Sequence, residues 1–138
     1  MGFREKAIAA GAVVVVAAAG RGHVAMHAHA HVTAAHIRGG TRDCAQLEAL
    51  WESAGGAPGA AFTAAEIAMA ESGGRQYATL VDSDGSVDRG YFQINSTHGS
   101  LSTYDAYGNA RAAVLISGNG TDWSPWVTFN TGAYAGKC

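Results

Sequence analysis

Glu71 is the residue whose position in the sequence most clearly suggests chemistry. It closes an apolar stretch that begins at Ala64, and Ser72, Gly73 and Gly74 follow it directly. Burial against apolar neighbours raises the pKa of a carboxyl group, and the partial negative charge at a helix C-terminus raises it further. Glycines carry no side chains, so a substrate can approach closely. A carboxylic acid protonated near neutral pH can donate its proton to a glycosidic oxygen. The alternative for Glu71 is a solvated residue at a helix end.

Three aspartates in the following polar loop are candidates for a second carboxylate: Asp82, Asp84 and Asp88. A hydrolytic glycosidase needs such a group, about 5 to 5.5 Å from the acid if it attacks the sugar or about 6.5 to 9.5 Å if it activates water. The same loop also fits a surface Asp-Gly turn, or a fragment of a calcium-binding loop that lacks the bidentate Glu of an EF-hand. The spacing alone leaves these interpretations open.

The elements that position these residues are expected in one domain with one core. The chain has 138 residues, of which 48% are hydrophobic and 14% are charged, and this composition is typical of a globular protein. Its formal net charge of -2 does not provide the clustered Lys and Arg that nucleic-acid binding requires. We predict a monomer with no nucleic-acid partner, no cofactor and no metal site.

Residues 1–30 are predicted to be a secretion signal with an undetermined cleavage point. A basic start precedes the run 7–20, which is rich in Ala and Val but too short to span a bilayer. We expect no stable membrane insertion after its removal. Residues 31–42 are predicted to be a linker that contains His31 and His36. His27, His29 and His31 alternate in sequence and would allow a metal chelate on one side of an extended segment, although a low-complexity segment without a site is the simpler interpretation.

Cys44 and Cys138 are predicted to form a disulfide, because an exported protein folds in an oxidising environment. The bond would close a loop that contains nearly the whole domain. Chain entropy assigns about 4 to 5 kcal/mol of stabilisation to loops near this length. Two free thiols are the alternative.

Hydrophobic spacing predicts a small, mainly helical α+β domain over residues 43–138. Leu47 and Leu50 recur at helical spacing before the Gly55–Gly56 pair, which indicates a first helix. Thr63 and Glu66 have the spacing of a capping box and predict that a second helix begins near Thr63. Its body is apolar on nearly every side, which predicts burial at the centre of the domain.

The second half of the domain is predicted to contain one short β-hairpin or strand edge beside a cleft. Alternation over residues 91–95 indicates this strand. A helix is expected over 110–116 with Asp105 or Asn109 as its cap, and a short last helix is expected to begin near Asp122.

Three segments resemble the lysozyme-like superfamily, in the branch of goose-type lysozymes, soluble lytic transglycosylases and actinobacterial and phage cell-wall lysins. Residues 65–74 resemble the helix that ends in the catalytic Glu followed by Ser. Gly90-Tyr-Phe-Gln-Ile-Asn95 is similar to the Gly-Leu-Phe-Gln-Ile motif that lines the cleft. Residues 122–132 resemble the closing segment of the family. The order and spacing of the three segments agree with this branch.

The resemblance implies that Glu71 is the catalytic acid and that Ser72 helps to position the acid or the substrate. It also implies that Gln93, and in the same way Asn95, contacts sugar or catalytic groups. The closing segment of transglycosylases usually reads Ala-Tyr-Asn, and its Tyr hydroxyl supports the catalytic Glu. Phe129 stands at this place and cannot make that hydrogen bond.

Other residues are therefore candidates for polar contacts in the cleft. Thr131 or Tyr134 would supply the hydroxyl that Phe129 lacks. Tyr91 and Tyr134 are expected to face the cleft, since their hydroxyls tolerate water. The remaining large aromatic side chains are expected in the core, where they supply most of the buried area.

The resemblance implies a secreted, cell-wall-associated enzyme that cuts peptidoglycan glycan strands between N-acetylmuramic acid and N-acetylglucosamine. A muramidase would use the second carboxylate, whereas a lytic transglycosylase would use Glu71 alone and close an anhydro ring with the sugar's own hydroxyl. The alternatives are a catalytically silent wall-binding module on the same fold and a histidine-rich metal carrier.

Overall fold

Four α-helices and a three-stranded antiparallel sheet make up the part of the protein that the computed structural model describes, residues 40–138. The predicted signal, most of the linker and the five clustered histidines lie outside these described residues. The helices are α1 (Cys44–Ser53), α2 (Ala61–Ser72), α3 (Ala106–Ile116) and α4 (Val127–Asn130). The strands are β1 (Thr79–Val81), β2 (Val87–Arg89) and β3 (Ile94–Asn95), in the order β1-β2-β3. The predicted mainly helical α+β fold is confirmed.

Helix α1 begins and ends as its sequence predicts. Asp43 accepts a hydrogen bond from the Gln46 backbone amide (2.9 Å), and the Gln46 side chain accepts one from the Asp43 amide (2.8 Å). This reciprocal capping box satisfies two amides that the first helical turn leaves free. The helix ends just before Gly55, whose φ of 94° suits a residue without a Cβ.

Helix α2 begins earlier than the predicted capping box allows. Its first residue is Ala61, a short 3₁₀ turn at Pro58–Ala60 leads into it, and its N-cap makes no side-chain hydrogen bond. The capping-box prediction is therefore wrong, because Thr63 already lies inside the helix. The Glu66 carboxylate instead accepts a hydrogen bond from the Cys138 backbone amide (3.1 Å). Glu66 ties the C-terminal segment to the central helix.

The core forms around α2 and an aromatic cluster, as predicted. Side chains of α2 from Ala64 to Ala68 are almost completely buried. Trp51 of α1 packs against Trp123 with ring centroids 5.3 Å apart, and Trp123 packs against Trp126 at 5.2 Å. Phe92 is also fully buried in this cluster. Burial of these rings supplies much of the apolar area that stabilises a small domain.

The disulfide between Cys44 and Cys138 is present, as predicted. It joins the first residue of α1 to the C-terminal segment and spans 94 residues of sequence. Together with the hydrogen bond from the Cys138 amide to Glu66, it holds this segment against the helical core.

The sheet is larger than predicted, because the polar loop after α2 contains a β-hairpin. Strands β1 and β2 pair through a turn in which the Gly85 amide donates to the Asp82 carbonyl (2.9 Å). Gly85 has a φ of 90°, so this is the Asp-Gly turn that the sequence left as one possibility. The predicted strand over 91–95 is only partly correct: β3 holds Ile94–Asn95, while residues 91–93 form a turn.

Helix α3 has the predicted Asp105 cap, whose carboxylate accepts a hydrogen bond from the Gly108 amide (2.8 Å). Helix α4 begins at Val127 rather than near Asp122, because Asp122 accepts a hydrogen bond from the Ser124 amide (2.9 Å) and forms a separate turn. None of the helices within residues 40–138 has the length and hydropathy needed to cross a membrane.

Candidate active site

An open cleft of about 420 Å³ lies between the end of α2, the sheet and the start of α4. Strands β1 to β3 and the segment around the start of α4 both contribute lining residues. The residues that line the cleft are Glu71, Leu80, Asp82, Asp88, Gln93, Ile94, Asn95, His98, Ile116, Pro125, Trp126 and Val127. Three carboxylates therefore share one cleft.

Glu71 lies in the last turn of α2, where the buried helix reaches the cleft. Its Oε2 accepts a hydrogen bond from the Thr128 Oγ1 (2.6 Å). Burial raises the pKa of Glu71 above its usual value, the hydrogen bonds from Thr128 lower it, and the negative charge of Asp88 raises it again. Burial outweighs the hydrogen bonds, so the pKa is raised overall. The carboxyl group thus stays protonated to a higher pH than an exposed Glu.

Thr128 makes the polar contact to Glu71 that the sequence analysis assigned to Thr131 or Tyr134. Within residues 40–138 neither of those two side chains hydrogen-bonds to Glu71: the Thr131 hydroxyl donates to the Thr128 carbonyl (3.5 Å), and the Tyr134 ring stacks on Phe129 (4.9 Å). Neither residue lines the cleft. The sequence feature that could have identified this contact is the hydroxyl side chain directly before Phe129.

Replacing Thr128 with Val should raise the pKa of Glu71 further, because the hydroxyl hydrogen bond stabilises the ionised form. Carbon-13 NMR titration of the Glu71 carboxyl in both proteins measures this change. Thr63→Val is the matched control, since Thr63 lies in the same helix as Glu71, α2, but does not line the cleft. An unchanged or lower pKa of Glu71 in Thr128→Val would contradict the assigned role of Thr128.

Asp82 and Asp88 line the cleft with Glu71, whereas Asp84 does not. Asp84 lies at the exposed tip of the hairpin, where hydrogen bonds from the Ser86 hydroxyl and amide lower its pKa. Burial raises the pKa of Asp88, and the charges of Asp82 and Asp84 add to this, against the hydrogen bond from Asn95. Of the three candidate aspartates, Asp88 is the one whose charge raises the pKa of Glu71.

Gln93 lines the cleft in a left-handed backbone conformation with a φ of 48°. Its Nε2 donates to the carbonyl oxygens of Ala78 and Gly90, both at 3.0 Å. These two bonds use both amide hydrogens and leave Oε1 as the group that can accept a hydrogen bond from a substrate. That Gln93 contacts sugar or catalytic groups stays a prediction.

Asn109 fixes the turn that carries Gln93, a role that the sequence analysis missed. Its side chain is fully buried, Oδ1 accepts from the Phe92 amide (2.8 Å), and Nδ2 donates to the Arg89 and Thr103 carbonyls (both 2.8 Å). A Cβ on Gly90 would overlap the Asn109 amide. The signal in the sequence is a polar residue beside an apolar helical pattern, although that pattern predicts only a helix cap for Asn109.

Ser72 stabilises the end of α2 and does not reach the cleft. It is buried, its hydroxyl donates to the Ala68 carbonyl (2.9 Å), and it accepts a hydrogen bond from the Gly74 amide (3.1 Å). The second of these bonds satisfies the Gly74 amide just beyond the helix end. Ser72 thus positions the turn that holds Glu71 and is not placed to bind substrate.

Tyr91 is fully buried, contrary to the expectation that it faces the cleft. Its hydroxyl donates to the Gly40 carbonyl (3.1 Å) and accepts a hydrogen bond from the Arg42 Nε (2.9 Å). Gly40 and Arg42 thus satisfy the hydrogen bonds of the hydroxyl within the protein, so burial of Tyr91 leaves no polar group without a partner.

The cleft also has apolar surface and a histidine that the sequence analysis did not identify. Leu80 and Val127 are 55% and 70% exposed, and both line the cleft. His98 lines it from the 3₁₀ turn after β3. Within the described part of the chain, no three His, Cys, Asp or Glu side chains are grouped so that they could hold a metal ion.

Comparison with known proteins agrees with this geometry. The model of a lysozyme-like domain family matches residues 48–128, which is more than half of the chain. The match includes α2 with Glu71, the whole sheet and Thr128. No curated protein and no solved structure shows significant similarity to the chain. The match to the family model covers the residues that build the cleft, and the chain belongs to the lysozyme-like domain family.

Proposed function

We propose that the protein cleaves the glycan strands of peptidoglycan between N-acetylmuramic acid and N-acetylglucosamine, with Glu71 as the general acid. Membership of a lysozyme-like family indicates cleavage of glycosidic bonds. The observation that carries the assignment to Glu71 is its placement: a carboxyl with a raised pKa at the wall of an open cleft. A protonated carboxyl in that position can donate its proton to the leaving oxygen.

Asp88 is the second carboxylate in this proposal, and it favours hydrolysis over ring closure. It lines the same cleft, and one of its oxygens, Oδ1, accepts a hydrogen bond from Asn95 (2.8 Å). Glu71 protonates the glycosidic oxygen as the bond breaks. Asp88 then accepts a proton from the attacking water or stabilises the positive charge that develops on the sugar. Thr128 holds the Glu71 carboxyl in one orientation.

The surface of the cleft suits a polysaccharide. Leu80 and Val127 present apolar side chains on which the faces of sugar rings can pack. The free Oε1 of Gln93 can accept a hydrogen bond from a hydroxyl or from the N–H of an acetamido group. Apolar contacts beside polar groups that fix the orientation of a ligand are typical of binding clefts.

Secretion is part of the proposal because peptidoglycan lies outside the cytoplasmic membrane. The Cys44–Cys138 disulfide supports it, since disulfides persist in oxidising compartments. The signal over residues 1–30 and the cleavage event remain predictions of the sequence. The protein would then act in association with the cell wall.

Mass spectrometry of digested peptidoglycan tests the proposal. We expect soluble fragments with hydrolysed ends, which are heavier by one water than anhydro fragments. Asp88→Asn should slow their release by about 10²-fold or more, since it removes the second carboxylate. Asp84→Asn, which changes a carboxylate of the same hairpin outside the cleft, should release fragments nearly as fast as the wild type.

Other results would contradict parts of the proposal. Anhydro fragments released equally well by Asp88→Asn would identify a lytic transglycosylase and remove the role of Asp88. Wall binding without release of fragments by the wild type would identify a non-catalytic binding module.

A further inference from the structure

Asn95 contacts both cleft aspartates through a single side-chain amide. Its Nδ2 lies 2.8 Å from Asp88 Oδ1, 3.0 Å from Asp82 Oδ2 and 2.9 Å from the Ser86 Oγ. Asn95 and Asp88 are paired residues on neighbouring strands β3 and β2, so their side chains lie on the same face of the sheet. Three acceptors thus surround one nitrogen that carries two hydrogens.

The orientation of this amide is fixed from its other end. Asn95 Oδ1 accepts a hydrogen bond from the Thr97 backbone amide (2.9 Å) and caps the 3₁₀ turn that follows β3. If the oxygen and the nitrogen of the Asn95 amide were exchanged, the oxygen would face the carboxylates of Asp82 and Asp88. The Asn95 N–H groups would then point at the N–H of the Thr97 backbone. The hydrogen-bond network therefore permits only the orientation in which the amide donates to the carboxylates.

The amide lies where two like charges would otherwise repel each other. Asp82 and Asp88 line one cleft wall, and the negative charge of Asp82 disfavours the ionised form of Asp88. A hydrogen bond from Asn95 favours the ionised form of Asp88 and uses only Oδ1. Within residues 40–138, no group donates a hydrogen bond to Asp88 Oδ2. That oxygen is left to accept a proton.

We propose that Asn95 is a positioning residue of the reaction, whose amide holds Asp88 beside Asp82 with Oδ1 engaged and Oδ2 free for water or substrate. This role rests on the proposed function and identifies the groups that Asn95 contacts as the two cleft aspartates rather than the sugar. Asn95 acts through Asp88, and its amide is already occupied by protein acceptors.

The Asn95→Asp variant tests the N–H donor of Asn95 alone. The new carboxylate still has an oxygen that can accept the hydrogen bond from the Thr97 amide, but it has no N–H group to donate to the aspartates. A third negative charge then raises the pKa of Glu71 and of Asp88. The alkaline limb of the kcat/KM profile follows loss of the Glu71 proton, and the acidic limb follows ionisation of Asp88. Both limbs should move to higher pH by about one unit, and kcat should fall about 10- to 100-fold with little change in KM.

The Asn95→Ser variant separates position from charge. It is neutral and can keep a capping oxygen, but it cannot reach both aspartates. The acidic limb alone should move to higher pH, because Asp88 loses a stabilising hydrogen bond while no charge is added near Glu71. Asn119→Asp is the matched control, since Asn119 Oδ1 also accepts a backbone hydrogen bond, from Ala57, outside the cleft. Its pH profile should match that of the wild type.

Profiles of Asn95→Asp and Asn95→Ser that coincide with the wild-type profile would overturn the positioning role, as would a loss of thermal stability without any movement of the limbs. A wild type that cleaves no peptidoglycan would instead refute the proposed function. In that case NMR titration of the Asp88 carboxyl still tests whether the Asn95 hydrogen bond stabilises the ionised form of Asp88. The pKa of Asp88 must rise in Asn95→Ser, and an unchanged pKa refutes the positioning role.

Discussion

Replacing Glu71 with Gln is expected to lower kcat for peptidoglycan cleavage about 10²- to 10⁴-fold, the usual contribution of a general acid. Gln has nearly the same shape and can still bond to Thr128, but it has no proton of suitable acidity. Turbidity clearance of purified cell walls should be lost, while sedimentation with the walls should persist. Thermal stability should not fall, because the raised pKa of Glu71 shows that the folded state disfavours its ionised form.

Glu66→Gln is the matched control for this variant. Glu66 is a buried residue of the same helix, but its carboxylate accepts a hydrogen bond from the Cys138 amide and lies outside the cleft. The Gln oxygen can keep that bond, so activity should be close to that of the wild type. Equal clearance by Glu71→Gln and Glu66→Gln would exclude Glu71 as the catalytic acid.

Removal of the disulfide with Cys44→Ala and Cys138→Ala together should lower the free energy of unfolding by about 4 to 5 kcal/mol. The reason is the 94-residue separation of the two cysteines, since a long closed loop restricts the unfolded chain strongly. The free energy of unfolding of a native protein is only about 5 to 15 kcal/mol, so the variant should lose a large part of its stability. The midpoint of denaturation in urea measures the change.

Reduction of the wild-type disulfide is the control, and it should lower the midpoint by the same amount. The cysteines lie away from the cleft, so each molecule that remains folded should keep its activity. A loss below about 1 kcal/mol would mean that the Glu66–Cys138 contact and the core alone hold the C-terminal segment.

The approximate positions of the helices, and of Glu71 at the end of one of them, were predictable because their signals are local. Apolar residues at helical spacing, a Gly pair after α1 and Ser-Gly-Gly after α2 each mark a helix or its end. The hairpin was not predictable in the same way. Strand β1 is exposed along its whole length and β2 is half-buried, so neither alternates between apolar and polar residues.

Residues that act through long-range contacts were the ones that the sequence misassigned. Thr128 reaches Glu71 across 57 residues of sequence, and Asn109 reaches the turn at Phe92 across 17. Tyr91 turns into the core because Arg42 and Gly40 lie there to bond its hydroxyl. Such partners are set by the packing of separate elements, which no local pattern encodes.

Carbon-13 NMR titration of the Glu71 carboxyl in the wild-type protein tests most directly whether this residue is held as an acid. The cleft geometry predicts a pKa clearly above the value of about 4.3 that an exposed Glu has. The alkaline limb of peptidoglycan cleavage should fall at the same pH. A carboxyl that titrates at or below that ordinary value would contradict the assignment of Glu71 as the proton donor.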